Sequence, residues 1–184
     1  MHTSLDGFIA GPKGELDWIN FDDELFDFVG SMTDTADTAL YGRKTFEIMQ
    51  NYWPNAGNQP NPSKHDKEHS TWYNNVSKVV LSKTINENDF ENTTVISDQL
   101  SENINKIKNQ AGKNIIIFGS PTASLSLLNK GLIDEFWLFV NPILLAHGIP
   151  MFKALAETTK LQLIEAKTFK CGVIALHYQT KRKG

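Results

Sequence analysis

Hydrophobic residues recur along this chain in two rhythms, short apolar or alternating runs of strand type and longer stretches with helical spacing. Thr3 to Ala10 reads as a strand, turned by Gly11-Pro12-Lys13-Gly14. Leu25, Phe26, Phe28, Val29 and Met32 mark an amphipathic helix, and Asp22-Asp23-Glu24 before it suit the positive end of its dipole. Thr38 to Tyr41 is a short buried strand, followed after Gly42 by a helix over Thr45 to Asn51. Residues 53 to 69 are rich in Pro, Asn and Gly and read as a loop, with His65 and His69 in solvent. Lys78 to Ser82 and Thr93 to Ile96 are strands, and Leu100, Ile104, Ile107 and Ala111 mark a helix. Asn114 to Phe118 is a continuous apolar run of the kind expected for a strand buried on both faces. A helix over Pro121 to Lys130 and a strand over Glu135 to Val140 follow, then an irregular stretch from Pro142 to Phe152. Leu161 to Phe169 and Val173 to Thr180 form an antiparallel hairpin around Lys170-Cys171-Gly172, and Lys181-Arg182-Lys183 is a solvated tail. Strands alternating with helices before a terminal hairpin predict an α/β fold: a mixed, mainly parallel sheet covered by helices on both faces.

Composition narrows the class without changing that picture. The 184 residues, 40% hydrophobic and 21% charged, fit one soluble globular domain over 1–184. A net charge of −3 argues against a general nucleic-acid binder, so no nucleic-acid partner is expected. Cys171 is the single cysteine, which excludes an intrachain disulfide and favours a reducing cytoplasm. There is no basic segment leading into an apolar one at the start, so no signal peptide is expected, and no apolar run reaches the roughly 20 residues that cross a bilayer. His65 and His69 lie four apart without further ligands at metal spacing, so no metal is expected.

In open α/β sheets, ligands bind at the carboxyl ends of strands. Three such ends carry candidate chemistry. In Gly42-Arg43-Lys44-Thr45 the glycine admits a close ligand, and the following amides are unpaired donors at a helix start. Arg43 and Lys44 stand on the wrong end of the helix dipole; they either accompany an anion bound there or bend into solvent. In Gly119-Ser120-Pro121-Thr122-Ala123, Ser120 is a natural N-cap and Pro121 a natural first helical residue. Helix capping alone explains them, and so does a phosphate drawn to Gly119. The third end, Leu81-Ser82-Lys83-Thr84, puts polar side chains after an apolar strand. Neither GxGxxG nor GxxxxGK[ST] occurs, so a dinucleotide would be held in another way.

These segments, with Ser4-Leu5-Asp6-Gly7-Phe8-Ile9-Ala10, Val79-Val80-Leu81-Ser82, Gly131-Leu132-Ile133-Asp134-Glu135, Asn141-Pro142-Ile143-Leu144-Leu145 and Gly148-Ile149-Pro150-Met151-Phe152, resemble the RibD C-terminal-domain family of the dihydrofolate-reductase-like superfamily. The resemblance runs through nearly the whole chain. It implies a dihydrofolate-reductase-like three-layer α/β/α fold and an NADPH-dependent reductase acting on a small pyrimidine-, pterin- or carbonyl-type substrate, like 5-amino-6-(5-phosphoribosylamino)uracil reductase. It implies that Arg43 or Lys44 meets the 2′-phosphate and Thr45 the pyrophosphate, with Gly42 clearing the approach. Leu81, Ser82 and Lys83 would follow the adenosine half; Gly119, Ser120, Pro121, Thr122 and Ala123 would set a helix start against the pyrophosphate. Ala10 would run beside the nicotinamide, and Asp6 would stand near cofactor and substrate as a candidate proton-handling residue, or else satisfy turn amides. A homodimer is implied as well, with the Phe136-Trp137-Leu138-Phe139-Val140 strand contributing.

Two departures keep an alternative open, a dimeric NADP(H)- or ligand-binding module without catalysis. Gly119-Ser120 stands where the family carries Gly-Gly, and the first strand is short at its start. Asp27 and Glu24 lie in the neighbourhood of the first-helix carboxylate of dihydrofolate reductases, but no basic set for a ribose phosphate is evident. The cofactor half is legible and the substrate half is not.

Overall fold

The computed structural model describes residues 1–181, and Arg182 and Lys183 of the tail lie outside them. The chain divides into two compact units, one built from Met1–Leu25 together with the chain from Ser124 onward, the other from Phe26–Ala123. The strands hydrogen-bond in three groups where the hydrophobic pattern predicted one sheet.

The second unit is a four-stranded sheet in the order β5-β4-β3-β6, formed by β3 (Ala36–Gly42), β4 (Ser77–Leu81), β5 (Thr93–Ile96) and β6 (Asn114–Ile117). Every pairing in it is parallel, so all four carboxyl ends point one way. Helices α2 (Arg43–Ala56) and α3 (Lys64–Asn75) connect β3 to β4, and α4 (Leu100–Lys108) connects β5 to β6. Strand β6 is an edge of this sheet and Ile115–Ile117 are half-buried, which corrects the expectation of a strand buried on both faces. Its three isoleucines pack on one neighbouring strand rather than two.

The region read as a loop is mostly helix. Only 57–63 separate α2 from α3, and Ser63 starts α3 with a capping box. Its Oγ accepts the Asp66 amide (3.0 Å), and Asp66 Oδ2 accepts the Ser63 amide (2.9 Å). Tertiary packing explains why the polar composition misled. His69 is buried against Trp53 (4.1 Å between ring centroids), Trp72 (5.2 Å) and Phe118 (5.9 Å), and His65 stacks on Phe26 (4.3 Å). The histidines expected in solvent are thus part of an aromatic layer.

Beneath that layer lies the core of the unit: Ala39, Tyr41, Phe46, Tyr73, Val76 and Val80. Tyr73 donates its hydroxyl to Gln50 Oε1 (2.9 Å), whereas the fully buried Tyr41 hydroxyl has no hydrogen-bond partner among the described residues. Burial pushes the Tyr41 phenol far above its ordinary pKa. A buried hydroxyl without a partner costs its desolvation energy, so Tyr41→Phe is expected to stabilise the protein by about 1 kcal/mol. A urea titration checks this; an unchanged or lower midpoint would mean that the hydroxyl is satisfied in solution.

In the first unit, β1 (His2–Ser4) and β2 (Phe8–Ala10) replace the single strand predicted over Thr3–Ala10, because the chain turns where the Gly7 amide donates to the Ser4 carbonyl (3.1 Å). A second four-stranded sheet has the order β1-β7-β10-β9, formed by β1, β7 (Glu135–Asn141), β10 (Ile174–Thr180) and β9 (Leu161–Thr168). β1 runs parallel to β7, while β10 is antiparallel to both β7 and β9 as the terminal hairpin predicted. A two-residue strand, β8 (Ile149–Pro150), pairs with β2 inside the stretch read as irregular. Asp22 caps α1 (Asp23–Asp34), accepting the Leu25 amide (2.7 Å), and its other oxygen accepts the Cys171 amide (2.8 Å). The last helix is α5 (Pro121–Leu128).

Candidate functional site: three strand ends in register

Parallel pairing brings the three predicted strand ends together within the second unit. Gly42 lies opposite Leu81 across the β3–β4 ladder, and Leu40 lies opposite Ile117 across β3–β6. The starts of α2 and α5 therefore stand beside each other, with the β4 exit on the other side of β3.

Gly42 is tightly enclosed. A Cβ there would collide with Ser120 Oγ and lie 3.2 Å from Ser120 Cβ and 3.4 Å from Ala123 Cβ. The missing side chain thus makes room for Ser120, a neighbour that the local sequence does not reveal. Ser120 itself has φ +53, left-handed backbone, where an N-cap is ordinarily extended. Gly119 precedes it at φ +56, which is why glycine serves here, and a Cβ on it would meet Thr45 Cγ2 at 3.5 Å and Oγ1 at 3.7 Å. Thr45 consequently lies against the turn that opens α5.

Gly42 is the N-cap of α2, and no side chain caps the helix. The first-turn amides of Arg43, Lys44 and Thr45 therefore keep the donor capacity that a capping oxygen would otherwise use. Arg43 is not a bare cation: its Nη1 donates to Glu47 Oε1 (2.8 Å), with both side chains about half exposed. The four-residue spacing of Arg43 and Glu47 carries that signal in the sequence. Lys44 is exposed. At the β4 end, Ser82 is buried, and its Oγ accepts the Thr84 and Ile85 amides (3.1 Å each), so its hydroxyl shapes the turn. Lys83 is exposed on that turn; Pro121 is half-buried, Thr122 exposed and Ala123 buried at the opening of α5. The donor set fits an extended polyanion such as a dinucleotide: uncapped amides, a hydroxyl and three exposed cations around strand ends with little side-chain bulk.

Asp6 and Ala10 belong to the first unit. Asp6 Oδ1 accepts the Ser4 hydroxyl (2.6 Å) and the Leu145 amide (3.1 Å), and Oδ2 accepts the Ala146 amide (2.8 Å). The Ser4 hydroxyl, and then the two amides, hold its carboxyl below the ordinary range. An acid held ionised in this way is a poor proton donor near neutrality. Its geometry is that of an anchor tying the turn after β1 to residues 145–146. Ala10 is buried in β2 opposite Ile149, and a Cβ on Gly148 would collide with the Ala10 carbonyl oxygen. The carboxylates considered for a first-helix acid are both paired, Asp27 with Lys64 Nζ (2.7 Å) and Glu24 with Lys167 Nζ (3.3 Å).

Strand ends converging on adjacent helix starts, together with an antiparallel hairpin closing the chain, define a mixed α/β domain of the dihydrofolate-reductase-like type. The chain belongs to the RibD C-terminal domain family, whose model matches residues 1–175. It is 35% identical over 180 residues to the uncharacterized protein YyaP of Bacillus subtilis (strain 168), covering 96% of this chain and 90% of the relative. Among solved structures, a Shewanella sp. PV-4 protein provisionally assigned to riboflavin biosynthesis superposes with a TM-score of 0.74 at 24% identity, covering 99% of this chain and 97% of that one. The Thermotoga maritima diaminohydroxyphosphoribosylaminopyrimidine deaminase/5-amino-6-(5-phosphoribosylamino)uracil reductase gives 0.66 at 15% identity, covering 98% of this chain and 55% of that one. At these identities the solved structures establish the fold. No helix of the described residues is long and apolar enough to cross a membrane.

Proposed function

We infer that this chain is an NADPH-dependent reductase acting on a small pyrimidine-, pterin- or carbonyl-type substrate. The observation that carries the reading is the alignment of Leu81, Gly42 and Gly119 at the ends of neighbouring parallel strands, beside an uncapped helix start. Membership of the RibD C-terminal domain family supports the reductase class. When bound, NADPH supplies the hydride. The protein supplies position and field: amides of Arg43 to Thr45 and the opening of α5 hold the pyrophosphate, with Thr45 adding a hydroxyl. Leu81, Ser82 and Lys83 border the adenosine half, Ser82 by fixing its turn.

Arg43 and Lys44 take the 2′-phosphate. The Arg43–Glu47 pair is exposed, and such pairs are worth about 0–1 kcal/mol, so a phosphate displaces Glu47 at little cost. Calorimetric titration with NADPH and NADH tests the reading, alongside loss of reduced-nicotinamide absorbance during substrate screening. Binding of NADPH in the micromolar range and turnover with one substrate class are expected. Arg43→Ala should weaken NADPH by roughly 10-fold and NADH little, because a charge-assisted bond to phosphate is lost. Failure of both nucleotides to bind below millimolar concentration would end the reading. Binding without hydride transfer to any substrate would leave a ligand-binding module.

A further inference from the structure

Above the closed core of the second unit, rings from α1, α2, α3 and the exit of β6 pack together. Phe118, at that exit, lies 5.6 Å from Trp72 and 5.9 Å from His69 between ring centroids. His69 lies 4.1 Å from Trp53, Trp53 stands perpendicular to His65 at 5.5 Å, and His65 stacks on Phe26 at 4.3 Å. Beneath them Tyr41, Phe46 and Tyr73 are fully buried, yet within the layer only His69 is buried; Phe26, Trp53, His65, Trp72 and Phe118 stay half-buried. Contiguous aromatic surface left half open in this way is characteristic of ligand sites.

Trp72 supplies an independent observation. Its Nε1–H is buried and has no hydrogen-bond partner among the described residues. Buried indole N–H groups ordinarily find an acceptor, as that of Trp53 does by donating to Met49 Sδ (3.0 Å). The charge at the rim of the layer is negative. Burial lowers the His65 pKa, and Asp66 and Glu68 stand close enough to oppose that shift. The neighbouring cation, Lys64, is paired with Asp27 (2.7 Å).

We propose that this layer is the floor on which the substrate lies, and that the substrate is a planar heteroaromatic ring bearing a ring carbonyl and no phosphate. Stacking on aromatic side chains is open to any planar ring. The carbonyl gives the Trp72 N–H the acceptor it lacks, and rotamer changes of half-buried neighbours, common on binding, open the way to it. A phosphate would meet Asp27, Asp66 and Glu68, a like-charge repulsion. Calling the ring a substrate rests on the reductase reading, because Phe118 leads directly into Gly119 of the proposed cofactor cradle. That reading spans pyrimidine, pterin and carbonyl compounds; the layer selects unphosphorylated rings among them.

Calorimetric titration of the full chain with 6-hydroxymethylpterin and with its monophosphate ester, each with and without NADPH, is the test. The free pterin is expected to bind in the micromolar range and the ester roughly 10-fold more weakly. Trp53→Ala removes stacking surface and should weaken the pterin by roughly 10-fold. Trp72→Phe keeps an aromatic ring and deletes the donor, and a loss of about the same size is expected. It carries the test if Trp53→Ala fails to fold. Asp27→Asn combined with Glu68→Gln, both at exposed positions, should bring the ester to within about 3-fold of the pterin. NADPH binding that persists while the pterin fails to bind below millimolar concentration overturns the proposal and leaves the reductase reading standing. An ester bound as tightly as the pterin, or a pterin affinity unchanged in the folded tryptophan variants, overturns it too. Pterin binding without NADPH binding keeps the ring site and ends the reductase reading.

Discussion

Gly42→Ala is expected to destabilise the protein by about 1–3 kcal/mol, the usual cost of overpacking, and to weaken NADPH by roughly 10-fold. Adding Ser120→Gly should undo most of both losses. The new methyl would drive into Ser120 Oγ and press on its Cβ at 3.2 Å, while the next neighbour, Ala123 Cβ, lies at an ordinary 3.4 Å. Ser120 has little freedom to yield. It sits at φ +53, between Gly119 and the first helical residue Pro121, so moving its side chain moves the opening of α5. Shifting that turn by a few tenths of an ångström misaligns donors that must meet a phosphate together. With Ser120→Gly in place, both short contacts disappear, and left-handed backbone is held by a residue that adopts it without strain. Ser120→Gly alone should be neutral to mildly stabilising. Urea midpoints and calorimetric titrations on the four proteins of this cycle would give a coupling of about 1–2 kcal/mol. Additive effects of the two substitutions would mean that Gly42 is required for a reason other than Ser120.

This pair shows where the sequence is legible and where it stops. The strand–glycine–helix pattern around Gly42 and the strand ends at Leu81 and Gly119 follow from local periodicity and glycine placement, and the structure has all three. Their being side by side does not follow, because strand order is set by pairings between residues far apart in the chain. For the same reason Gly42 reads as clearance for a ligand until Ser120 is seen to fill the space. Asp6 is similar: it is visible as a carboxylate in a turn, but its partners Leu145 and Ala146 lie far along the chain. Residues 53–69 differ from the loop expected there for another reason: Pro, Asn and Gly mask the helical signal, although the Ser63–Asp66 capping box and the His65, His69, Trp72, Tyr73 spacing are both present in the sequence.

The buried aromatic layer brings the last expectation. Of the stability lost as pH drops from about 6.5 to about 4, His69→Phe should remove about 3 kcal/mol, while the loss from His2, which burial lowers to about 3, remains in both proteins. Burial, and secondarily the neighbouring His65, lowers the His69 pKa from 6.5 to about 4. The unfolded chain therefore takes up a proton at His69 in this interval that the folded chain resists, so the His69 contribution is complete above about 6.5 and is lost as pH falls to about 4. His65 shifts in the same direction through burial, opposed by Asp66 and Glu68, and leaves a smaller residual slope in the variant. The carboxyls held low, among them Asp66 and Asp37, contribute only below this window, since their stabilisation is lost as pH falls through their depressed values. Urea midpoints of both proteins at pH 7.5 and 4.5 measure the difference. Equal losses in the two would show that His69 titrates normally and is not buried in solution. The consequence reaches the site through contacts inside one unit. His69 is 8% exposed and packs on Trp53 of α2 and on Phe118, the residue just before Gly119. A charge forced into that layer loosens the two segments whose ends hold the proposed phosphate cradle. NADPH affinity of the wild type should therefore fall below about pH 5 more steeply than that of His69→Phe.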